Sequence, residues 1–133
     1  MSGLCFGAKG KDKMKTITTD ELRARMARQS VILFDVRGDS PYEREHILRS
    51  LSVPLDQVGE RLEGLARQDA RFGQKDQPII TYCGGLACSM SERAAEKLEG
   101  MGYIDVIDYA EGIAGWKEAG LGTEGAEKTV AVL

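Results

Sequence analysis

Val31-Ile32-Leu33-Phe34-Asp35-Val36 is apolar at consecutive positions, broken by one acid near its end. A strand with one wet face alternates apolar and polar residues, so an unbroken run needs cover on both faces. Pro78-Ile79-Ile80-Thr81-Tyr82 predicts a second buried strand, and it ends at Cys83. Helical patterns lie between and around these runs. Thr18 with Glu21 forms a capping box for a helix running to about Gln29. Ser40-Pro41 starts a short helix with Pro at the first helical position. Ser52-Val53-Pro54 reads as a short strand. Asp56 to about Leu65 reads as a helix with Val58, Leu62 and Leu65 on one face. Ser89 with Glu92 offers a second capping box, opening a helix to Met101. Its apolar face is Met90, Ala94, Ala95, Leu98 and Met101, and Gly102 ends it. Val106-Ile107 is a further strand and Ile113 to Ala119 a last short helix, with Trp116 covering the edge of the core. This alternation predicts an α/β fold: a central, mainly parallel sheet with helices on both faces.

A chain of 133 residues fits one domain with a single core. The reading divides it into a flexible tail over 1–14, a domain over 15–121 and a second loosely held tail over 122–133. Thr129 to Leu133 offers an edge strand. A net charge of −3 without a basic stripe argues against a nucleic-acid binder. No apolar run approaches membrane-spanning length, and no apolar signal segment follows Met1. Cys5, Cys83 and Cys88 are too few and too odd in number for a disulfide scaffold, so a reducing, cytoplasmic setting is expected. His46 is the one histidine, so any Cys–His chemistry would have to use it.

Cys83 stands where a buried strand meets the loop Gly84-Gly85-Leu86-Ala87-Cys88, with a helix directly after Ser89. Ligands of parallel sheets bind beyond the carboxyl ends of the strands, which is where this thiol lies. A helix N-terminus or a nest of amides pulls a thiol pKa down. Gly84 and Gly85 are expected to supply the unusual dihedrals that turn those amides inward. No charged side chain lies between Cys83 and Glu92, so anion stabilisation is left to the backbone or to a residue remote in sequence.

Several stretches carry a family resemblance. They are Phe34-Asp35-Val36-Arg37, His46-Ile47, Ser52-Val53-Pro54, Ile80-Thr81-Tyr82-Cys83, Ala94-Ala95-Glu96-Lys97-Leu98, Met101-Gly102-Tyr103 and Gly112-Ile113-Ala114-Gly115-Trp116. In this order and spacing the chain resembles a single rhodanese domain, the sulfurtransferase module. The resemblance implies the rhodanese-like α/β fold. It implies that Cys83 takes the outer sulfur of a small donor as a persulfide and hands it to a thiol or cyanide acceptor. A sulfur-relay protein is a further candidate partner. It implies no cofactor and no metal, and no nucleic-acid or membrane partner. Gly84, Gly85, Leu86, Ala87, Cys88 and Ser89 would form the substrate cradle. Arg37 is a candidate positive charge beside it, though a structural pair with Asp35 is favoured. Asp35 and His46 are read as structural support.

The departures from the family pattern are informative. The fourth and sixth positions of the usual loop, often Gly and a basic residue, hold Leu86 and Cys88. Aligned on Ala94-Ala95, two extra residues follow the cysteine. A loop without a basic residue suits a polysulfide or protein persulfide better than thiosulfate. Ser89 stands where a phosphatase of related architecture needs its phosphate-gripping arginine, which excludes that class. The family's Pro-Gly after the His-Ile pair is replaced by Leu48-Arg49, and Glu111 stands at a usual glycine, so both turns are expected to differ locally. Cys88 is open to three readings: a small apolar residue, a resolving thiol, or half of a metal pair that falls short of a tetrahedral set. Two rivals stand beside sulfur transfer: a dithiol redox protein using Cys83 and Cys88, and a non-catalytic sulfur carrier or interaction module.

Overall fold

The computed structural model describes residues 14–126. Residues 1–13 of the tail proposed for 1–14, Cys5 among them, and the edge strand proposed at Thr129–Leu133 lie outside the described residues. The apolar run at Ile32–Asp35 forms strand β1, and all four of its residues are buried. Ile79–Tyr82 forms β4, again buried throughout, and Val106–Tyr109 forms β5. With the short β3 at Leu51–Ser52 they make a parallel sheet in the order β3-β1-β4-β5. β4 is therefore an interior strand, with Tyr82 level with Asp35 on one side and Tyr109 on the other.

Both faces of the sheet are covered, as unbroken apolar strands require. On one face, helices α3 (Val58–Gln68) and α4 (Met90–Gly100) bury Val58, Leu62, Ala94, Ala95 and Leu98 against Ile32, Phe34, Ile79 and Val106. On the other, α1 (Thr19–Arg28) and α5 (Gly112–Glu118) bury Leu22, Ile113 and Trp116 against Leu33, Ile80, Tyr82, Ile107 and Tyr109. Helix α2 (Asp39–Arg44) buries nothing. Strands β2 (His46–Ile47) and β6 (Thr123–Glu124) pair antiparallel beside the main sheet, so the chain after Gly122 is held as far as this pairing.

Several local expectations meet a different outcome. The Thr18–Glu21 capping box forms in full. The Ser89–Glu92 box does not, because Ser89 makes no capping hydrogen bond. Helix α2 begins at Asp39, after Gly38 at φ +123°, which places Pro41 third rather than first. Pro is tolerated there because amides of the first turn have no intrahelical acceptor. Ser91 is buried on α4, whereas Met101 is exposed. Trp116 is inside the core and not at its edge: it stands edge-on to Tyr109 and donates Nε1–H to the Gly122 carbonyl at 2.8 Å.

Residues 47–50 close a tight turn in which the Ser50 amide donates to the Ile47 carbonyl at 3.0 Å. Its third residue, Arg49, has φ +71°, the left-handed conformation usually given to glycine. A side chain held there costs about 1 kcal/mol relative to glycine. Arg49→Gly is therefore expected to raise stability by about 1 kcal/mol in urea unfolding. An unchanged or lower midpoint would contradict the backbone reading.

Candidate active site

Cys83 follows β4 directly and is 1% exposed. The thiol thus emerges at the carboxyl edge of an interior strand. The first part of the loop beyond it is held by backbone. The Ile113 amide donates to the Cys83 carbonyl and the Ala114 amide to the Gly84 carbonyl, each at 3.0 Å. Both donors belong to the first turn of α5, where amides lack intrahelical partners. Because the peptide is planar and trans, the amides of Gly84 and Gly85 then face the opposite way.

Gly112 makes this docking possible. It has φ +62°, and a Cβ there would stand 2.4 Å from the Cys83 carbonyl oxygen and 2.8 Å from the Gly85 nitrogen. The loop glycines were expected to supply the unusual backbone, but neither Gly84 nor Gly85 has a positive φ. The special conformation belongs to the helix that braces the loop.

The loop's donors converge on Cys88. The Met90 amide donates to its Sγ at 3.5 Å, and the Gly84 amide and the Cys83 thiol favour its thiolate. Burial disfavours the Cys88 thiolate, but these donors outweigh it and bring the pKa below the ordinary thiol value. Cys83 shows the reverse: burial pushes its thiol up, the bond with Cys88 adds to that, and the Ser91 hydroxyl and amide only partly offset it. Of the amides expected to serve Cys83, that of Gly84 favours the Cys88 thiolate instead, while the Ser91 amide favours that of Cys83. Cys88 accepts an amide at the start of α4, that of Met90, whereas Ser89 accepts none. Leu86, Ala87 and Ser89 form an exposed rim.

Arg37 is committed to structure. Its Nε and Nη2 grip Asp35, at 2.7 Å for the closest contact, and Nη2 also donates to the Glu45 carbonyl at 2.6 Å. It shares with Pro54, Leu55, Met90 and Arg93 a cleft of about 510 Å³ beside the loop. His46 stacks on Tyr42 at 3.7 Å between ring centroids, and its Nδ1–H donates to the Tyr42 carbonyl at 2.6 Å. None of its contacts reaches Cys83. Glu111 opens α5, and its carboxylate accepts the Thr19 hydroxyl at 2.7 Å, tying α5 to α1. Among the described residues no cluster of His, Cys, Asp and Glu is arranged to hold a metal.

Three residues at the site were not singled out from the sequence: Gly112, Ser91 and Asp108. The Ser91 hydroxyl accepts the Cys83 thiol at 3.4 Å. Asp108 on β5 is 5% exposed, and its Oδ1 has no hydrogen-bond partner among the described residues. Burial raises its pKa, the Ser91 hydroxyl pulls it back, and Glu92 raises it further. The signal for Asp108 was present in Val106-Ile107-Asp108-Tyr109, an acid inside an apolar run like that of Asp35.

A family model, the rhodanese-like domain, matches residues 18–119. The chain belongs to the rhodanese-like domain family. This rhodanese-like domain is 30% identical over 103 residues to the uncharacterized protein YqhL of Bacillus subtilis, covering 77% of the chain and 72% of that protein. It is 26% identical to the thiosulfate sulfurtransferase GlpE of Coxiella burnetii, covering 77% of the chain and 87% of that protein. Its fold is similar to that of the BH2092 protein of Bacillus halodurans, with a TM-score of 0.75 and 25% identity over 96% of this chain and 89% of that one.

Two outcomes follow from this geometry. With limiting iodoacetamide near neutral pH, peptide mapping is expected to find Cys88 alkylated before Cys83, because its thiolate is favoured and it is less buried. The reverse order would contradict the described hydrogen bonding. Gly112→Ala forces a side chain into a left-handed position and against the loop, and is expected to cost about 3 kcal/mol or more in urea unfolding.

Proposed function

We propose that this rhodanese-like domain is a sulfurtransferase that carries sulfane sulfur on Cys83. The observation that carries the reading is the placement of that thiol at the carboxyl end of interior strand β4, in a loop clamped by the α5 amides. The likeness to a thiosulfate sulfurtransferase supports it. The Cys83 thiolate attacks the outer sulfur of a polysulfide, persulfide or thiosulfate. The S–S bond of the donor breaks, the electron pair leaves with the rest of the donor, and Cys83 becomes a persulfide. An acceptor thiolate then attacks the outer sulfur and expels the Cys83 thiolate. Such displacement at sulfur needs an ionised thiol and no metal. With Cys88 at the usual basic position, a polysulfide or persulfide is the favoured donor. No described helix is long and apolar enough to cross a membrane, and two free thiols suit a reducing, cytoplasmic setting.

The contact between the two thiols favours a second route for the same intermediate. The Cys88 thiolate attacks the inner sulfur of the Cys83 persulfide, hydrosulfide leaves, and a Cys83–Cys88 disulfide forms. An external dithiol must reopen it. In this route Cys88 is the resolving thiol.

Intact mass spectrometry after treatment with inorganic polysulfide tests the assignment. Wild type is expected to gain one sulfur atom, mapped to Cys83. Cys83→Ala is expected to lose sulfur transfer by at least about 1,000-fold, whereas Cys88→Ala loses no more than about tenfold. A loss of two hydrogens without sulfur gain in wild type is expected of the second route as well, so the dithiol rival is favoured only if Cys88→Ala also gains no sulfur. Full activity in Cys83→Ala would sink the reading.

A further inference from the structure

The cleft beside the reactive loop has a volume of about 510 Å³, a size that suits an organic ligand. Val36 and Met90 lie in its lining and pack in the same core cluster as Cys83 and Cys88. The Val36 amide donates at 3.0 Å to the carbonyl of Tyr82, the residue before Cys83. The Met90 amide donates to Cys88 Sγ at 3.5 Å. One end of the cleft therefore lies against the strand end and the loop that carry the two thiols.

The charged side chains in the lining are Arg37, Asp39, Asp56 and Arg93. The first two are already engaged. Arg37 grips Asp35 at 2.7 Å and the Glu45 carbonyl at 2.6 Å. Asp39 accepts the Arg61 guanidinium and the Ser52 hydroxyl, each at 2.6 Å. The side chains of Asp56 and Arg93 have no hydrogen-bond or ion-pair partner among the described residues, and they do not pair with each other.

Their placement is set by the backbone around them. Asp56 belongs to the single 3-10 turn Leu55–Gln57. The Leu55 amide donates to the Val36 carbonyl at 3.2 Å, and Lys97 Nζ on α4 donates to the Leu55 carbonyl at 3.3 Å. Lys97 lies one helical turn after Arg93, so the two share the face of α4 that looks onto this turn. A cation on one wall and an anion on the other thus front one cleft that ends at two thiols. Single exposed charges are ordinary. Opposite charges held apart across a cleft are the complement of a zwitterion.

We propose that this cleft binds a low-molecular-weight thiol with a zwitterionic α-amino-acid end, in its persulfide form, with Arg93 taking the carboxylate and Asp56 the ammonium. The cation absent from the loop is thereby supplied by α4. The proposal names the donor class for the sulfur-transfer reading and rests on it for the step after binding. The Cys83 thiolate attacks the outer sulfur of the bound persulfide. The S–S bond breaks, its electron pair leaves on the donor's inner sulfur, and that thiolate takes up the proton Cys83 released. The products are the Cys83 persulfide and the free thiol. Arg93 and Asp56 set specificity and touch no reacting atom. Free cysteine and a γ-glutamyl peptide such as glutathione both carry the required end.

The test compares the full chain with Arg93→Gln and Asp56→Asn. Single-turnover sulfur gain on Cys83 is followed by mass spectrometry over a range of donor concentrations. The donors are the persulfides of cysteine, glutathione, 3-mercaptopropionate (no ammonium) and cysteamine (no carboxylate), with inorganic polysulfide beside them. For the cysteine or the glutathione persulfide, each variant is expected to raise the half-saturating concentration about tenfold at an unchanged limiting rate. Whichever of the two shows that penalty identifies the source of the zwitterion. Arg93→Gln is expected to weaken the mercaptopropionate donor and spare the cysteamine one, and Asp56→Asn to do the reverse. Inorganic polysulfide is expected to change by less than about threefold in either variant. A merely structural role predicts equal losses with every donor, and that result, or no loss with either amino-acid donor, would overturn the proposal. Chemical-shift titration with S-methylcysteine and S-methylglutathione, which hold no transferable sulfur, separates it from the reading beneath. Binding that both variants weaken, in a wild type that takes up no sulfur, keeps the cleft and sinks the sulfur-transfer reading. No shift at cleft residues in wild type overturns the cleft even where sulfur transfer holds.

Discussion

One fully buried carboxylate organises the carboxyl end of this sheet. Asp35 closes β1 and accepts the Arg37 amide at 3.0 Å, the Arg37 guanidinium, and the Tyr82 hydroxyl at 2.8 Å. Tyr82 in turn accepts the Ile47 amide at 3.0 Å and shares a hydrogen bond with Ser50 at 2.9 Å. Burial, followed by the Asp35 charge, raises the Tyr82 phenol far above its usual pKa, so it remains a donor. Strands β1, β2 and β4 are thereby tied to one ion. Breaking a buried pair of this kind costs about 3–5 kcal/mol. Tyr82 is the residue before Cys83, so the network that satisfies Asp35 also fixes where the reactive loop begins.

The same sheet holds a second acid under different terms. Asp35 and Asp108 both interrupt apolar strands, and both are buried. Asp35 has a guanidinium and a phenol; Asp108 Oδ1 has no partner among the described residues. The first arrangement gives both carboxylate oxygens donors. The two acids stand on β1 and β5, on either side of the strand that carries Cys83.

Much of the scaffold was legible because single residues determine it. Unbroken apolar runs mean strands covered on both sides, and Thr18 with Glu21 gives a helix start that forms as read. What failed to be legible depended on partners distant in sequence. Ser89 and Glu92 have the spacing of a capping box, but Ser89 sits at φ −103° and ψ 3° instead of the extended backbone a capping residue needs, and makes no cap bond. Gly84 and Gly85 looked like the loop's special glycines, yet the positive φ lies at Gly112, because that is where two backbones approach most closely. The family was readable from the order of its motifs. Which of two thiols receives the amides was not, since it depends on where α5 docks.

The loop's shape is written in main chain. Its carbonyls are fixed by the Ile113 and Ala114 amides, and its turn by the Cys88 amide donating to the Gly85 carbonyl at 3.0 Å. No side chain at Leu86 or Ala87 takes part, and Leu86 is 77% exposed. Those two positions are free to drift without disturbing the thiols behind them. Selection can therefore retune what the rim meets while the chemistry beneath it is inherited unchanged.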